Sequence, residues 1–523
     1  MTPLIMDENK NMTPVSLPLP DAFCTRMRGM LGEEYAAFIG SFSKALRPSL
    51  RVNPLRGSTE RAREMAGFFG EGVAWQERGF YYGDKALSGD IRPGKHPLHE
   101  AGLYYIQEAS AMLPASLCPP TPGQRVLDLC AAPGGKASQL AGALGGEGVL
   151  VANEIHRGRA AILSQNMERM GVRNVVVTSA APNELSERFS GFFDRIVVDA
   201  PCSGEGMFRR EADAVSMWSP ENVAMCSVRQ AEILDEAAKM LRPGGYLTYS
   251  TCTFAPEEDE GAVMAFLGRH PEFDVVASDE LPVTAARASG LLDGGRPEWA
   301  DPDCAYPAAI REAVRLCYRV LPHHAEGEGH FAALLCKRAD AEMTDSSSQR
   351  SRKNVRKTMS DRKNSSFDST AYALFEAWMR DAFEGMPEWI SEMVPCLFGN
   401  RLFLVPRALG CETAADVRDR LSGLTVLRAG VCAGTIVGAE RGRGRPEPDH
   451  ALAMAADTDT DGTLPGRFPV ELDAAVAYLR GETLPAPDVR GWHVITYCGL
   501  PLGWGKASDG VMKNHYPKGL RWN

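Results

Sequence analysis

The feature that most constrains the fold is an alternation of short β-rich runs with helical patterns between Arg125 and Arg338. The runs predicted as strands cover residues 125–129, 148–154, 174–178, 193–200 and 245–251. The longest helical pattern runs from about Glu221 to Leu241 and ends at Arg242-Pro-Gly-Gly, a strong helix terminator. Strands that alternate with helices in this way are typical of a parallel, doubly wound sheet of the α/β class.

Two further elements are expected near the end of this region. Pro256 is predicted to open a helix, with the acids of residues 257–259 in its first turn, where the helix dipole favours anions. Residues 317–338 predict an antiparallel hairpin that extends the sheet.

A chain of 523 residues is longer than one hydrophobic core usually organises, so several domains are expected. We expect an N-terminal module over residues 1–100, an α/β domain over 101–340, a flexible basic linker over 341–366 and a C-terminal region over 367–523. The linker is polar and carries the cations Arg350, Arg352, Lys353, Arg356, Lys357, Arg362 and Lys363. These cations suit contact with RNA phosphates, but a merely solvated linker explains the composition equally well.

Charge and cysteine usage narrow the class of protein. A net charge of −10 argues against a chain that coats nucleic acid over its whole surface, although it leaves room for local basic patches. Thirteen cysteines without a CxxC spacing, in a chain with no export signal, indicate reduced thiols in the cytoplasm. No apolar run reaches membrane-spanning length. We therefore expect a cytoplasmic protein without membrane contact or a metal site, and we assign His323, His324 and His330 structural roles.

A candidate ligand site lies at the carboxyl ends of the strands, where open α/β sheets bind their ligands. The first strand ends in the loop DLCAAPGGK, residues 128–136, whose Gly134 and Gly135 let the backbone approach a ligand. The loop is neither a Walker A nor a GxGxxG motif. Glu154 stands at the end of the second strand, where Rossmann-like units place an acid on ribose hydroxyls. It could instead cap the next helix, but with the glycine loop it favours a nucleoside-bearing cofactor.

Two cysteines follow two further strands. Asp199 and Cys202 come after the fourth strand, and Cys252 follows the fifth. In the usual winding order these strands are neighbours about 4.8 Å apart, so both exit loops are predicted to open into one cleft. Most free cysteines are small buried apolar residues, and that explanation is preferred for Cys226, Cys317 and Cys336.

Three motifs in order carry a family resemblance. DLCAAPGGK (128–136), DAPCSGEGMFR (199–209) and YSTCT (249–253) closely resemble the Nop/Sun family of RNA cytosine-5 methyltransferases, which use S-adenosylmethionine. The resemblance spans about Pro18 to Arg338, and both ends of the chain are similar to the RsmF branch, which methylates small-subunit ribosomal RNA. It implies a Rossmann-like methyltransferase sheet between an N-terminal α+β RNA-binding module and a C-terminal PUA-like β module.

The resemblance also implies the cofactor contacts. The residues assigned to S-adenosylmethionine are Cys130, Ala131, Ala132, Pro133, Gly134, Gly135, Lys136, Glu154 and Asp199. Arg159, in the turn after Glu154, is a further candidate, although a solvated helix residue is an equal alternative. Many family members have an adenine-facing aspartate after the third strand, whereas this chain has Ala181 there. That contact is left open between backbone groups and Asn183.

The chemistry explains why such an enzyme needs a thiol. C5 of cytosine is a poor nucleophile, and a thiolate that adds to C6 activates it toward the methyl donor. An acid near N3 must offset the negative charge that builds up, and Asp199 is assigned this role. Spacing alone does not decide which cysteine attacks, because both loops open toward the same ring. DNA cytosine-5 methyltransferases use a Pro-Cys nucleophile, whereas the Nop/Sun resemblance implies attack by Cys252 and release assisted by Cys202.

The predicted partner is structured RNA, namely small-subunit ribosomal RNA or the small subunit itself, acted on by a monomer. Transfer RNA would fit the same catalytic motifs, and a non-catalytic RNA-binding assembly factor is a third hypothesis. Candidate RNA contacts are the N-terminal Arg47, Arg51 and Arg56, and the C-terminal Lys506, Lys513, Lys518, Arg521, Trp504, Tyr516 and Trp522. For Trp504, closing a small barrel is an equally good explanation.

Overall fold

The computed structural model places an α/β domain between two smaller regions. It describes residues 18–83, 92–341, 359–383, 385–437, 444–459 and 464–522, with the backbone alone for residues 359–367. The cations expected in the linker at positions 350–357 lie outside the described residues. Within the described part, none of the helices is long and apolar enough to cross a membrane.

The N-terminal region combines helices with a four-stranded antiparallel sheet of order β2-β3-β1-β4. Its elements are α1 (Asp21–Leu31), α2 (Tyr35–Ser41), β1 (Ser49–Val52), α3 (Thr59–Met65), β2 (Gly72–Val73), β3 (Gln76–Tyr81), α4 (Pro97–Glu100) and β4 (Tyr104–Ile106). One face of α1 buries Phe23 and Met27 against Phe208 and Trp218 of the next domain. This packing joins the N-terminal region to the loops that carry the site.

The central domain is built on a ten-stranded sheet. Its strands are β5 (Arg125–Asp128), β6 (Val149–Asn153), β7 (Val175–Thr178), β8 (Phe193–Asp199), β9 (Leu241–Thr251), β10 (Phe273–Val275), β11 (Asp293–Gly294), β12 (Tyr318–Val320), β13 (His330–Lys337) and β16 (Val426–Ala429). Its helices are α5 (Leu113–Ser116), α6 (Gly135–Leu144), α7 (Arg157–Arg169), α8 (Pro182–Phe189), α9 (Ala212–Met217), α10 (Pro220–Met240), α11 (Glu260–Arg269), α12 (Leu281–Ala288), α13 (Pro297–Ala300) and α14 (Ala308–Val314).

The strand order of this sheet is β11-β12-β13-β9-β8-β5-β6-β7-β16, with β10 paired to β13. The five strands expected from the sequence are present as β5 to β9, and they pair in parallel. The hairpin expected over residues 317–338 is also confirmed, since β12 and β13 pair antiparallel and β13 runs along β9. Apolar clusters on both faces bury the sheet, as parallel sheets require.

The structure differs from the sequence expectations at three places. The helix expected from Pro256 begins at Glu260, because Glu258 and Asp259 are fully buried and hydrogen-bonded elsewhere instead of lining a first helical turn. The C-terminal region does not stand apart from the central domain, because its β16 pairs antiparallel with β7 and completes one edge of the sheet. The chain is also helical over residues 359–366, which we expected to be linker.

The C-terminal region forms two more sheets, of order β14-β15-β17-β18 and β19-β21-β22-β23-β20. Its remaining elements are α15 (Met359–Phe383), β14 (Met393–Phe398), β15 (Arg401–Pro406), α16 (Ala414–Arg420), β17 (Val431–Val437), β18 (Arg445–Pro448), α17 (His450–Met454), β19 (Arg467–Val470), α18 (Leu472–Leu479), β20 (Leu484–Pro485), β21 (Gly491–Tyr497), β22 (Leu500–Ser508) and β23 (Val511–Asn514). Trp504 and Tyr516 are buried, and the Trp504 indole donates to the carbonyl of Asp449 at 2.8 Å. These two aromatics therefore pack in the interior of the C-terminal region, and their rings are not exposed for stacking on bases.

Candidate active site at the strand ends

Two thiols meet where the parallel strands end. β8 and β9 are neighbours in register, with Asp199 opposite Ser250, so the loops that follow them leave the sheet side by side. The Sγ atoms of Cys202 and Cys252 lie 3.3 Å apart, and both residues are partly exposed. The prediction that both cysteines share one cleft is confirmed.

Three hydrogen bonds tie the two cysteine loops together. The hydroxyls of Ser203 and Thr253 lie 2.8 Å apart. The Gly206 amide donates to the carbonyl of Cys252 at 2.9 Å, and the Phe254 amide donates to the Glu205 carboxylate at 3.1 Å. The separation of the two thiols is therefore fixed by bonds on both sides of them.

Glu205 also links these loops to the N-terminal region. Its fully buried carboxylate accepts a hydrogen bond from the Trp218 indole at 2.8 Å and forms an ion pair with Arg26 of α1. A buried carboxylate is stable only when it is paired and hydrogen-bonded. Sequence reasoning missed Glu205, because its partner Arg26 lies 179 residues away.

A second buried acid supports the Cys202 loop from below. The Glu258 carboxylate accepts hydrogen bonds from the Ser203 amide at 3.0 Å and from the Gln230 side chain at 2.8 Å. Gln230 also donates to the Pro201 carbonyl at 3.1 Å. Burial raises the pKa of Glu258 to about 7, so this support titrates near neutral pH.

Asp199 lies at the centre of a charged cluster. Its carboxylate accepts from the Lys136 ammonium and from the Ser250 hydroxyl, each at 2.8 Å, and His330 Nε2 lies 3.4 Å from it. Burial opposes ionisation, but Lys136 and His330 together hold the pKa of Asp199 well below its usual range. The structure thus brings His330 into the site, although the sequence placed it in a loosely spaced structural group.

The two thiols differ in their surroundings. The hydrogen bond with Cys252, together with burial, raises the pKa of Cys202 well above that of an ordinary thiol. Cys202 therefore keeps its proton, and the thiol can donate it to the sulfur of Cys252. A thiolate, not a thiol, is the nucleophilic form of cysteine.

The glycine loop between β5 and α6 is held close to its neighbours. Gly134 has φ = +119°, and a Cβ there would lie 3.0 Å from the methyl carbon of Met167, so only glycine fits without strain. The carbonyl of Gly135 accepts a hydrogen bond from the buried Arg51 at 3.0 Å. The loop therefore keeps an open backbone surface on the side where helix α6 begins.

The other predicted cofactor residues surround this loop. Glu154 is buried, accepts from the His156 amide at 2.9 Å and pairs with Arg159 at 3.1 Å. Arg159 also donates to the carbonyl of Ala132 at 3.0 Å, so it bridges the glycine loop and the acid of the second strand. Glu154 thus accepts a hydrogen bond from the backbone of His156, the residue before α7, and is joined to the glycine loop through Arg159.

The remaining loop residues are anchored by the backbone of β6 and by α7. The Ala131 amide donates to the Asn153 carbonyl at 2.8 Å, and the Pro133 carbonyl accepts from Asn166 at 2.8 Å. Burial raises the pKa of the Cys130 thiol, so this cysteine stays protonated and acts as a packing residue of the loop.

Asp128, at the end of β5, was not singled out from the sequence. It is fully buried, and among the described residues its carboxylate oxygens have no hydrogen bond of good geometry, although the backbone of Cys130 approaches them. Burial, followed by the charge of Asp199, raises its pKa to about 8. A buried acid without a partner is costly as a charged group, which agrees with the raised pKa of Asp128.

The segment after β7, for which the family resemblance left the adenine contact open, has its backbone amides bonded within the protein. The Ala181 amide donates to Glu184 at 2.7 Å and is therefore occupied within its own helix start. The Ser179 amide donates to the carbonyl of Thr425 from the C-terminal region. Ile155, directly after Glu154, is 57% exposed and offers an apolar surface on which a base can pack.

Two of the three arginines expected to contact RNA from the N-terminal module, Arg51 and Arg56, are buried and bond within the protein. Arg51 bonds to the glycine loop, and buried Arg56 donates to the carbonyl of Met454 at 2.6 Å. Arg47 pairs with Glu71 and Glu326 at the surface. Basic spacing alone therefore misled here, because it does not distinguish internal arginines from exposed ones.

Sequence models of known families match most of the chain. A model described as 16S rRNA methyltransferase RsmB/F matches residues 115–336. Models of the N-terminal domain of 16S rRNA methyltransferase RsmF and of the methyltransferase RsmF PUA domain match residues 19–109 and 466–522.

Individual relatives agree with these matches. Ribosomal RNA small subunit methyltransferase F of Klebsiella pneumoniae (strain 342) is 35% identical over 336 residues, which is 62% of this chain and 69% of that protein. The protein of the same name from Escherichia coli O127:H6 is 38% identical over 261 residues, so the match spans 48% of this chain and about half (54%) of that relative. A methyltransferase homologue from Pyrococcus horikoshii, of known crystal structure, shares 28% identity with a TM-score of 0.50 over 61% of this chain and 95% of its own.

Proposed function

Because this chain belongs to the RsmF family of 16S ribosomal RNA methyltransferases, we propose that it methylates C5 of cytosine through a covalent bond from Cys252 to C6. The observation that carries this proposal is the pair of thiols 3.3 Å apart, next to the ion pair of Asp199 and Lys136. A cysteine pair of this kind serves a reaction in which one sulfur adds to the ring and the other assists its release.

The cofactor of this family is S-adenosylmethionine, and the residues at the strand ends fit it. When bound, it supplies the methyl group as a sulfonium. The buried oxygens of Asp128, at the start of the glycine loop, have no hydrogen-bond partner of good geometry among the described residues, and the backbone of Gly134 is packed so closely against Met167 that no side chain fits there. Glu154 is placed to accept hydrogen bonds from a ribose, with Arg159 holding it against the glycine loop.

Cys252 is the proposed nucleophile because Cys202 retains its proton. The Cys202 thiol can donate its proton in a hydrogen bond to the sulfur of Cys252, so we assign the addition to C6 to Cys252. After the methyl group has been transferred, C5 loses its proton to solvent water, the electrons of the C5–H bond re-form the C5–C6 double bond, and the bond from C6 to Cys252 breaks to release the Cys252 thiolate. Cys202 is then the group that assists the release.

Asp199 is proposed to position the cytosine as a carboxylate. Lys136 and His330 keep it ionised, so in the resting protein it has no proton to give to N3, and its proposed role differs from the acid role suggested by the sequence. An ionised carboxylate instead accepts a hydrogen bond from the exocyclic amino group of cytosine. The Lys136 ammonium supplies the positive charge that offsets the negative charge on the ring during addition.

The proposed substrate is small-subunit ribosomal RNA or the assembled small subunit, bound by a monomer in the cytoplasm. The C-terminal barrel presents Lys506, Lys513 and Lys518 at partly or fully exposed positions, where they can contact phosphates. The chain of the E. coli relative is matched over only about half its length, so the substrate is inferred from the family rather than from the full alignment.

The test is a methylation assay with three substrates: free small-subunit RNA, assembled small subunits and transfer RNA. We expect radiolabel from S-adenosylmethionine to enter one of the first two, and bisulfite sequencing to place it on cytosine C5. If label enters transfer RNA alone, the substrate is transfer RNA and the proposed ribosomal RNA substrate is wrong. Absence of S-adenosylmethionine binding by calorimetry would favour a non-catalytic RNA-binding assembly factor.

A further inference from the structure

A second cluster of potential ligand groups lies outside the active site, where the N-terminal region meets the central domain. We propose that Glu34, His323 and His324 form a binding site for a divalent transition metal ion of the zinc class. Glu34 belongs to the short 3₁₀ turn Gly32–Glu34 between α1 and α2, and the two histidines follow β12. This site could not be predicted from the sequence, because Glu34 lies 289 residues before His323.

The ligand atoms already have the spacing of a metal site. One atom from each of the three residues lies within 4.8 Å of the others. The Oε2 atom of Glu34 lies 3.1 Å from Nε2 of His323 and 3.1 Å from Nε2 of His324. Two ligands of a tetrahedral zinc ion with bonds of 2.0–2.1 Å are separated by about 3.3 Å. The three side chains thus need little movement to bind an ion.

His324 has the oriented geometry that metal-binding histidines show. Its Nδ1 lies 2.7 Å from Oδ2 of Asp293, and metal-bound histidines commonly donate their second ring nitrogen to a carboxylate. With Nδ1–H donating to Asp293, Nε2 of the neutral ring is an acceptor, and it faces the Glu34 oxygen, which is also an acceptor. A cation between these two acceptors would resolve the contact.

The side chain of Arg296 lies near Glu34 and Asp293 but on the side away from the histidines. Arg296 approaches the other oxygens of the two acids, at 4.0 Å from Oε1 of Glu34 and 3.4 Å from Oδ1 of Asp293. The histidines occupy the Oε2 and Oδ2 side. The Oε2 atom of Glu34 and the ring nitrogens facing it are therefore left to one another, on the side of Glu34 that Arg296 does not approach.

Two histidines with one carboxylate suit zinc or a similar divalent ion, with water completing the coordination. Such an ion would pin the turn after α1 to the segment that leads from β12 to His330, the residue beside Asp199. The site would therefore stabilise the same junction that Arg26 and Glu205 form on the neighbouring side of α1.

The full-length protein, freed of metal with a chelator, would be titrated with Co²⁺, whose visible absorption reports a tetrahedral environment, and with Zn²⁺ by calorimetry. We expect one ion per chain, and at least a tenfold weaker affinity in Glu34→Gln and in His324→Gln. His515→Gln is the matched control, because His515 lies on the exposed surface of the C-terminal barrel, and it should bind like the unmodified protein.

Two results would overturn the proposal. The first is the absence of stoichiometric Co²⁺ or Zn²⁺ binding by the folded protein. The second is binding that neither Glu34→Gln nor His324→Gln weakens, while circular dichroism shows all variants folded. In either case the cluster would be a hydrogen-bonded junction in which a protonated His324 bridges Glu34 and Asp293.

Discussion

The Sγ atom of Cys252 lies 3.3 Å from the Sγ atom of Cys202, and hydrogen bonds between their loops hold the two sulfurs at this distance. If Cys252 attacks and Cys202 assists release, Cys252→Ala should abolish methylation and Cys202→Ala should accumulate a covalent protein–RNA adduct. The adduct is measured as a band of reduced mobility on a denaturing gel. RNA that contains 5-fluorocytosine should trap the unmodified protein in the same way.

The control for this pair is Cys498→Ala, because Cys498 is exposed in the C-terminal barrel, and this variant should methylate normally. If Cys202→Ala prevents adduct formation while Cys252→Ala still forms one, the two cysteines have exchanged roles. If neither change affects the adduct, the covalent mechanism is wrong.

Glu205→Gln should destabilise the protein and slow the reaction together. The change keeps the shape of the side chain but removes the charge that pairs with Arg26 inside the protein. Breaking a buried ion pair from one side costs about 3–5 kcal/mol. We expect the free energy of unfolding in urea to fall by about this amount, and kcat to fall because Phe254 loses a charged acceptor.

Glu211→Gln is the matched control for this change, since Glu211 is exposed. A Glu205→Gln protein with unchanged unfolding free energy and unchanged kcat would show that the carboxylate does not organise the loops. The double variant with Arg26→Met would separate the ion pair from the hydrogen bonds, because the two single losses should then not add.

Glu258 should make stability depend on pH between its unfolded and folded pKa values. The folded pKa is about 7 and the ordinary value is 4.5, so the folded state binds more protons than the unfolded state in that interval. The contribution of Glu258 to the free energy of unfolding is therefore fully present below about pH 4. It is lost as the pH rises to about 7, and the loss is on the order of 3 kcal/mol.

Glu258→Gln removes this titration. Its free energy of unfolding should lose less between pH 5 and pH 8 than that of the unmodified protein, whatever constant offset the new amide brings. Urea unfolding at several pH values measures the slope. Parallel pH dependences in the two proteins would contradict the raised pKa.

Gly134→Ala should weaken cofactor binding. The backbone there has φ = +119°, and an added methyl group would lie 3.0 Å from the side chain of Met167, so the loop must shift. We expect the affinity for S-adenosylhomocysteine, measured by calorimetry, to fall at least tenfold. Gly158→Ala is the control, because a methyl group there meets nothing within 4 Å. If the two variants bind S-adenosylhomocysteine with equal affinity, the glycine loop is not part of the cofactor site.

The strands and the meeting of the cysteines were predictable because they depend on local pattern. Alternating apolar runs and helical periods locate β5 to β9, and parallel neighbours place Cys202 beside Cys252 whatever the remaining chain does. The predicted start of α11 at Pro256 was wrong because the local sequence signals there compete with tertiary contacts. Asp259 is instead held by Thr251 at 2.6 Å and by the buried Arg319 at 2.9 Å.

The rest of the site could not be read from the sequence, because it depends on contacts between distant segments. His330 reaches Asp199 only when β13 lies along β9. Likewise, Arg51 looks like a surface cation in the sequence but supports the glycine loop from inside. Composition gives the type of a residue, but only the folded chain gives its partner.

The pairing of β16 with β7 has a practical consequence for dissecting this protein. A truncation that ends after the central domain would leave the amide and carbonyl groups of β7 uncovered, and a bare strand edge invites aggregation. Loss of activity in such a fragment would then report a damaged sheet and would say nothing about RNA recognition. A truncation that tests RNA recognition without damaging the sheet has to end beyond Ala429, so that β16 stays paired with β7.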